Sequence, residues 1–398
     1  MRAVRICIFL RKVMRMFSVA IFGTGAVSQT SRKYIEEIFK FSATSSSGNE
    51  EPVRVAAYWE NQPKQTLVDG TAVLDVAQLL ALYKKGVIQG VVLPRDIFSW
   101  HRRMAFILIQ HGIAPKNIYI TSRIENKSLT GRDMPSFLMP YLSAKFLPYL
   151  EFHIADQCNL NCKACEHYSG LVTTPTYPDF EKFSQDMQRL HHFIDDVGIL
   201  RILGGEPLLN PEINKYMRLS RKLYPDAYIA VVTNALKLMS MPEDFFQTAR
   251  EESIVINISL YPPMEKKIPE IKKMLEERHI SCMVGPLMTK FEMKQTLKKD
   301  PTAGYFFQCF QAHCHNLYDG KLAACFLPFT TKYFNSYFKK KLQEDGAIDL
   351  YDETLTTEEL KARLLRPFER CCYCKSAIQV DWEQISQPSV LSDWVIEE

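Results

Sequence analysis

Apolar positions along this chain follow two rhythms, and the places where one gives way to the other set the predicted elements. Between residues 178 and 196, Phe180, Phe183, Met187, Leu190 and Phe193 recur at steps of three or four. That spacing puts side chains on one face of a helix, and a proline in the first turn suits its start. Apolar runs of strand length flank it, an alternating one at 151–156 and a continuous one at 199–203. The alternation continues with helix 211–223, strand 228–233, helix 242–251, strand 254–260, helix 267–278 and strand 280–285. A smaller set precedes it, with strands at 17–24, 53–59, 87–93 and 117–120 and helices at 28–41, 75–85 and 97–111. A Ser-rich loop is expected at 42–49. Strand and helix in alternation predict parallel sheets, because parallel neighbours need crossover connections. The fold class is therefore α/β. The two sets are separated by a stretch with Asn126, Gly131, Pro135 and Pro140 and no sustained period. The expected organisation is a basic leader at 1–16, a small α/β domain at 17–122, a linker at 123–148, a larger α/β domain at 149–300 and a cysteine-rich region at 301–398.

Composition narrows the class. With 398 residues, 46% hydrophobic and 24% charged, the chain is an ordinary globular protein of two or three domains. A net charge of +4, with no dense basic stretch interleaved with aromatics, argues against nucleic acid as a partner. No run approaches the roughly 18 apolar residues of a membrane span, so no membrane partner is expected. The apolar core of the leader, 6–10, is too short to span a bilayer and lacks a small-residue cleavage site. The expected location is cytoplasmic. Eleven cysteines without a secretory signal point to a reducing compartment and metal ligation. All except Cys7 and Cys282 fall in tight clusters.

Cys158, Cys162 and Cys165 stand at C-x3-C-x2-C spacing, directly after the 151–156 run. Three thiolates on one short loop can hold three irons of a cubane cluster and leave the fourth iron open to a chelating molecule. A closed zinc site would need a fourth ligand, which nearby His167 could supply. After the next strand comes Gly204-Gly205-Glu206-Pro207, a strand end where backbone approaches a ligand closely. One βα unit apart, the two motifs together resemble the signature of the radical S-adenosylmethionine (SAM) superfamily. The resemblance implies a catalytic [4Fe-4S] cluster whose open iron is chelated by the amino and carboxylate groups of SAM. Glu206 and the adjoining Gly204, Gly205 and Pro207 would contact the SAM amino group. It further implies reductive cleavage of SAM to a 5′-deoxyadenosyl radical, hydrogen abstraction from an unactivated C–H bond, and a low-potential electron donor such as flavodoxin or ferredoxin. The core fold it implies is a partial TIM-like (β/α)6 barrel with its active site at the C-terminal ends of the strands. Ala164 stands where an aromatic residue is common in the family. Thr233 and Asn234 at the end of the third strand, and Asn257 and Ser259 on the fourth, occupy positions where the family contacts the methionine carboxylate or ribose. Such residues serve equally well as helix caps.

Cysteines return at Cys309, Cys314, Cys325, Cys371, Cys372 and Cys374. The run Cys309-x10-Gly320-x4-Cys325 resembles the opening of the SPASM and twitch extensions, which hold auxiliary iron-sulfur clusters. With no cysteine after Cys374, the resemblance implies the twitch type and one auxiliary [4Fe-4S] cluster. Asp319-Gly320 predicts a hairpin that brings Cys309 or Cys314 towards Cys325. The choice between Cys309 and Cys314, and between Cys371 and Cys372, stays open, as does a closed zinc site.

At the N-terminal end, Gly23-Thr24-Gly25-Ala26-Val27-Ser28 follows the first strand and resembles the Rossmann nucleotide-binding fingerprint. Ser28 stands at the third glycine position, and Glu60 lies about 35 positions beyond Gly25, farther than the usual ribose contact. This Rossmann-like domain is expected either to bind a nucleotide or sugar or to serve recognition without one. The function expected of the whole is that of a radical SAM enzyme, of oxidoreductase type, acting on a carbohydrate or nucleotide-linked sugar. The alternatives are modification of a ribosomal peptide or protein, or a metal-binding scaffold without catalysis.

Overall fold

The computed structural model describes residues 17–26, 28–33, 35, 53–94, 101–121, 138–385 and 388–397. The expected leader, the Ser-rich loop at 42–49 and linker residues 122–137 lie outside the described residues. The chain forms two compact units, with 107–141 closing the first and Leu142 opening the main body of the second.

The first unit is built on β1 (Phe17–Phe22), β2 (Val53–Trp59), β3 (Leu67–Val68), β4 (Thr71–Leu74), β5 (Gly90–Leu93), β6 (Ile118–Thr121) and β7 (Leu138–Pro140). Their order across the sheet is β3-β4-β2-β1-β5-β6-β7. Strands β4, β2, β1, β5 and β6 run parallel. Numbered along the chain, those five lie in the order 3-2-1-4-5 of a Rossmann sheet. Val19, Ala20, Ile21, Val91, Val92 and Leu93 are fully buried, as central parallel strands require. Two elements depart from the expectation. Asp69 and Gly70, with φ 47° and 73°, make a tight turn between β3 and β4, a hairpin that the Asp-Gly pair could have signalled. Strand β7, antiparallel to β6, occupies part of the expected linker.

The second unit carries β8 (Phe146–His153), β9 (Asp196–Leu203), β10 (Tyr228–Thr233), β11 (Val255–Ile258), β12 (Cys282–Val284), β13 (Lys290–Gln295), β14 (His315–Tyr318), β15 (Lys321–Ala323), β16 (Ala347–Asp349) and β17 (Cys374–Asp381). Eight of them form one sheet in the order β12-β11-β10-β9-β8-β14-β15-β16, and β13 pairs with β17. Strands β8 to β12 are parallel neighbours in chain order. The helices Phe180–Phe193, Ile213–Leu223, Glu243–Glu251 and Ile268–Glu277 connect them. The sixth parallel strand is β14, which joins β8 on its free side and comes from the region assigned by sequence to the extension. Strand β8 begins earlier than the expected 151–156, because Pro148 disguised its start. A proline withholds a ladder donor, and β14 covers β8 only from Leu150 to Phe152, so Pro148 lies where one side is unpaired.

Alternation sorts this sheet into two faces. Leu150, Phe152, Leu200, Ile202, Ile229, Val231, Ile256 and Ile258 pack with Phe183, Met187, Leu190, Met217, Phe245 and Leu275 of the helices. The other face carries Tyr149, Glu151, His153, Arg201 and Asn257, so the polar side chains converge on the side away from the helices. No helix among the described residues is long and apolar enough to cross a membrane.

Candidate active site at the ends of the parallel strands

Strand β8 feeds directly into the first cysteine loop, and the Gly-Gly-Glu-Pro segment runs beside it. Ile154 N donates to Leu203 O at 2.9 Å, Gly205 N to Ala155 O at 2.7 Å and Glu206 N to Gln157 O at 3.0 Å. The two motifs are thus hydrogen-bonded neighbours. Their closeness explains both glycines: a Cβ on Gly204, whose φ is +154°, would lie 2.1 Å from Ala155 O, and one on Gly205 would lie 2.3 Å from Gln157 O. No side chain can enter there without moving the backbone that leads to Cys158.

The loop folds in short turns, Cys162 N to Leu160 O at 3.0 Å, Cys165 N to Cys162 O at 3.4 Å and Tyr168 N to Cys165 O at 3.0 Å. Each thiol sits among donors. Cys158 Sγ accepts from Leu160 N at 3.4 Å and from Asn234 Nδ2 at 3.6 Å, and Cys162 Sγ accepts from Trp382 Nε1 at 3.2 Å. Backbone N–H groups of Ser169 and His167 point at Cys165. Burial pushes all three thiols above their usual range, Cys162 up to about 12, and their neighbouring charges add to the effect for Cys158 and Cys162. Three enclosed thiolates therefore need a cation to offset them, which is what an iron cluster supplies and what the donors around each sulfur suit. Among the described residues no three His, Cys, Asp or Glu side chains are gathered as a single metal ion requires. A cubane makes a different demand, because it takes one thiolate per iron.

Glu206 is fully buried and caps the short helix Pro207–Leu209. Its Oε1 accepts from Leu208 N at 3.1 Å and Thr233 Oγ1 at 2.7 Å, and its Oε2 accepts from Asn234 N at 2.9 Å. Burial nevertheless holds its pKa up to about 7. Thr233 and Asn234, named from sequence as possible cofactor contacts, thus act on Glu206, and Asn234 also reaches Cys158. Ser259 donates its N–H to Thr233 O at 2.9 Å and bonds through its side chain to Tyr261, whose hydroxyl is influenced by all three cysteines. Asn257 lies two residues earlier, on the polar face of β11. Beyond Cys165, His167 Nδ1 lies 3.1 Å from Gly204 O and its ring packs on His153 and Phe326. Burial lowers the pKa of His167 to about 3, so the ring is neutral and its Nδ1–H donates to the Gly204 carbonyl.

The second cysteine set resolves into two groups. Asp319 and Gly320 turn β14 into β15 as expected, with φ 48° and 72°. Cys309, Cys325, Cys371 and Cys374 line one cavity, together with Glu166, Lys294 and Gln311. Cys314 and Cys372 do not line it. Cys314 instead faces Tyr149, Glu151 and Arg201, where burial pushes its thiol well up. Both Cys371 and Cys372 lie in the short helix Glu369–Tyr373, whose turn sends neighbouring side chains in different directions. Glu166, adjacent to Cys165, forms a buried ion pair with Lys294 at 2.8 Å and accepts a hydrogen bond from Gln311. The two cysteine sites therefore share a wall.

Sequence reasoning missed Trp382, Tyr261 and Lys294. A Tyr-Pro-Pro after the fourth strand marks a strand end for Tyr261, but Trp382 and Lys294 reach the site from distant segments and carry no local signal.

Residues 152–279 match the Radical SAM superfamily. Among curated proteins, a GTP 3′,8-cyclase of Clostridium acetobutylicum is 34% identical over 118 residues, covering 29% of this chain and 35% of the relative. One from Lactiplantibacillus plantarum is 30% identical over 115 residues, covering 28% and 33%. The chain spans about a third of the length of the curated relatives it matches. Among solved structures, BtrN in complex with AdoMet and 2-DOIA is 14% identical with a TM-score of 0.37, over 59% of this chain and 92% of that one. The superfamily implies a [4Fe-4S] cluster and SAM, and the cysteine loop and its glycine-lined neighbour have the donors for them. Residues 152–279 of this chain are a radical SAM domain.

Proposed function

We propose that the protein is a radical SAM enzyme in which Cys158, Cys162 and Cys165 hold a catalytic [4Fe-4S] cluster. Cys309, Cys325, Cys371 and Cys374 are proposed to hold an auxiliary one. The single observation that carries the reading is the junction of the two motifs, where the backbone leading to Cys158 is hydrogen-bonded to Gly205 and Glu206. A bound cluster and SAM would supply a 5′-deoxyadenosyl radical, given one electron from a flavodoxin- or ferredoxin-type donor. The protein's own contribution is placement. Glu206, with three of its roughly four acceptor positions filled by Leu208, Thr233 and Asn234, keeps one for an ammonium group. His167 orients the Gly204 carbonyl, and the thiol donors set the charge on each sulfur. Lys294, whose neighbours include both Glu166 and Cys309, balances charge between the two cysteine sites.

The proposed substrate is a small polar molecule, a carbohydrate or nucleotide-linked sugar. Two features support this. The first unit has the strand order of nucleotide-binding sheets. A cavity next to His167 is lined by His153, Asp179, Lys182, Asp186, Tyr318 and Lys332, side chains that bond hydroxyl groups. The Nε2 of His153 is buried there without a hydrogen-bond partner among the described residues.

The test is anaerobic reconstitution followed by SAM and dithionite, with 5′-deoxyadenosine measured for the wild type and for a Cys158/Cys162/Cys165→Ala triple variant. Product only from the wild type is expected. No product from wild type with a filled first cluster, with or without candidate substrates, favours the scaffold. Product coupled to a precursor peptide and not to nucleotide sugars overturns the substrate class.

A further inference from the structure

Strand β17 ends at Asp381, and the residues after it lie along the first cysteine loop. Trp382 N donates to Thr289 O at 2.9 Å, Lys163 N to Glu383 O at 2.9 Å and Ile385 N to Asn161 O at 2.8 Å. Asn161 Nδ2 returns a bond to Ile385 O at 2.8 Å, and Gln384 bridges Cys162. Farther on, Ala164 N donates to Asp393 O at 2.8 Å. This last contact bears on Ala164, the residue that stands where an aromatic one is common in the family and that is buried here with φ +57°. The backbone of the C-terminal tail runs against that position.

We infer that Trp382, carried on this tail, is a positioning residue that sets the electron affinity of the cluster held by Cys162. The inference rests on the proposed cluster at Cys158, Cys162 and Cys165. An indole N–H can only donate, so at 3.2 Å the sulfur of Cys162 must accept. It is shorter than the bonds onto Cys158, which are 3.4 and 3.6 Å. The ring is held in place from its other side, stacked on Tyr261 with centroids 6.1 Å apart and planes 21° from parallel. A donor on a ligating sulfur stabilises the added negative charge of the reduced cluster and so raises its reduction potential. Trp382 thus makes the cluster easier to reduce and ties that property to docking of the tail.

The experiment is a reduction titration of the reconstituted full-length protein followed by electron paramagnetic resonance. The catalytic cluster is distinguished by the change of its signal on adding SAM. Trp382→Phe keeps the ring on Tyr261 and removes the donor. The expected result is a shift to more negative potential, on the order of tenfold in the reduction equilibrium, or about 59 mV for one electron. Replacing Trp382 by its sulfur isostere benzothienylalanine, which keeps the indole shape, covers the case in which the phenylalanine variant does not fold. It should give the same shift. Resonance Raman of the wild type should also show Fe–S stretches that move on H/D exchange, with a smaller movement in both variants because the donors on Cys158 and Cys165 remain. An unchanged potential in both variants with a filled, SAM-responsive cluster overturns the inference and leaves the proposed function standing. A wild type that binds no cluster at the three cysteines overturns both.

Discussion

Replacing Glu206 by glutamine separates charge from shape at the point where the two motifs meet. The carboxylate is fully buried and receives three donors, yet burial raises its pKa from 4.5 to about 7. A displacement of that size corresponds to about 3 kcal/mol. Below pH 4.5 the carboxyl is protonated in both the folded and unfolded chain, and the stability it contributes is fully present. As pH rises from 4.5 through about 7, the unfolded chain releases its proton first, and the folded state loses about 3 kcal/mol. Glutamine does not titrate. It also turns an amide N–H2 towards one of the donors from Leu208, Thr233 or Asn234, a cost of about 1–3 kcal/mol that lowers the variant's curve without bending it. His167 titrates alike in both proteins and cancels. Urea unfolding of the cluster-free, reduced wild type and Glu206→Gln between pH 4.5 and 7.5 should therefore show the wild type losing about 3 kcal/mol relative to the variant across the interval. Parallel curves would refute the claim that a buried, strained carboxylate sits at this junction.

Other perturbations follow from the same geometry. Lys361 is buried with its Nζ on Ala144 O at 2.8 Å, and burial lowers its pKa to about 7. Its folded form therefore resists the proton that the unfolded chain takes up as pH falls below 10.5. Relative to Lys361→Met, the wild type should lose about 5 kcal/mol between pH 10.5 and 7, read by urea unfolding across the accessible part of that range. Gly205→Ala places a Cβ 2.3 Å from Gln157 O, and the resulting separation of the two strands should cost about 2–4 kcal/mol and reduce iron uptake at the first site. Full stability and full iron loading in that variant would contradict the packing described. Cys325→Ser should abolish the auxiliary cluster's spectrum, whereas Cys314→Ser, outside the cavity, should leave it in place. The opposite outcome would reassign the ligands.

Much of the architecture was legible because local rules agree with the final fold. The helix Phe180–Phe193 and strand β10 lie where periodicity placed them, and Asp319-Gly320 turns as its φ-positive preference demands. The cysteine loop and Gly-Gly-Glu-Pro were readable as a pair because one βα unit separates them. What escaped depends on contacts between distant segments. Strand β14 joins β8 across more than a hundred residues, and nothing in His315–Tyr318 says which sheet it will enter. Cys309 and Cys314 are equally plausible thiols in sequence. Only the turn Gln311–His313 and the entry into β14 send one to the cavity and the other to the polar face. Trp382 reaches Cys162 by a pairing that forms only once the tail is docked. Glu206 was assigned to an amino group, but the three internal bonds it makes to Leu208, Thr233 and Asn234 required the register of β9 against β10.

The central claim, two clusters on the two cysteine groups, is tested most directly by counting iron after anaerobic reconstitution. The wild type, the Cys158/Cys162/Cys165→Ala variant and a Cys309/Cys325/Cys371/Cys374→Ala variant should be compared. Roughly eight irons in the wild type and roughly four in each variant are expected, with a SAM-induced spectral change only where the first three cysteines remain. Roughly four irons in the wild type, none in the first variant and zinc recovered from the second site would contradict the auxiliary cluster. A first site that loads no iron would contradict the account as a whole.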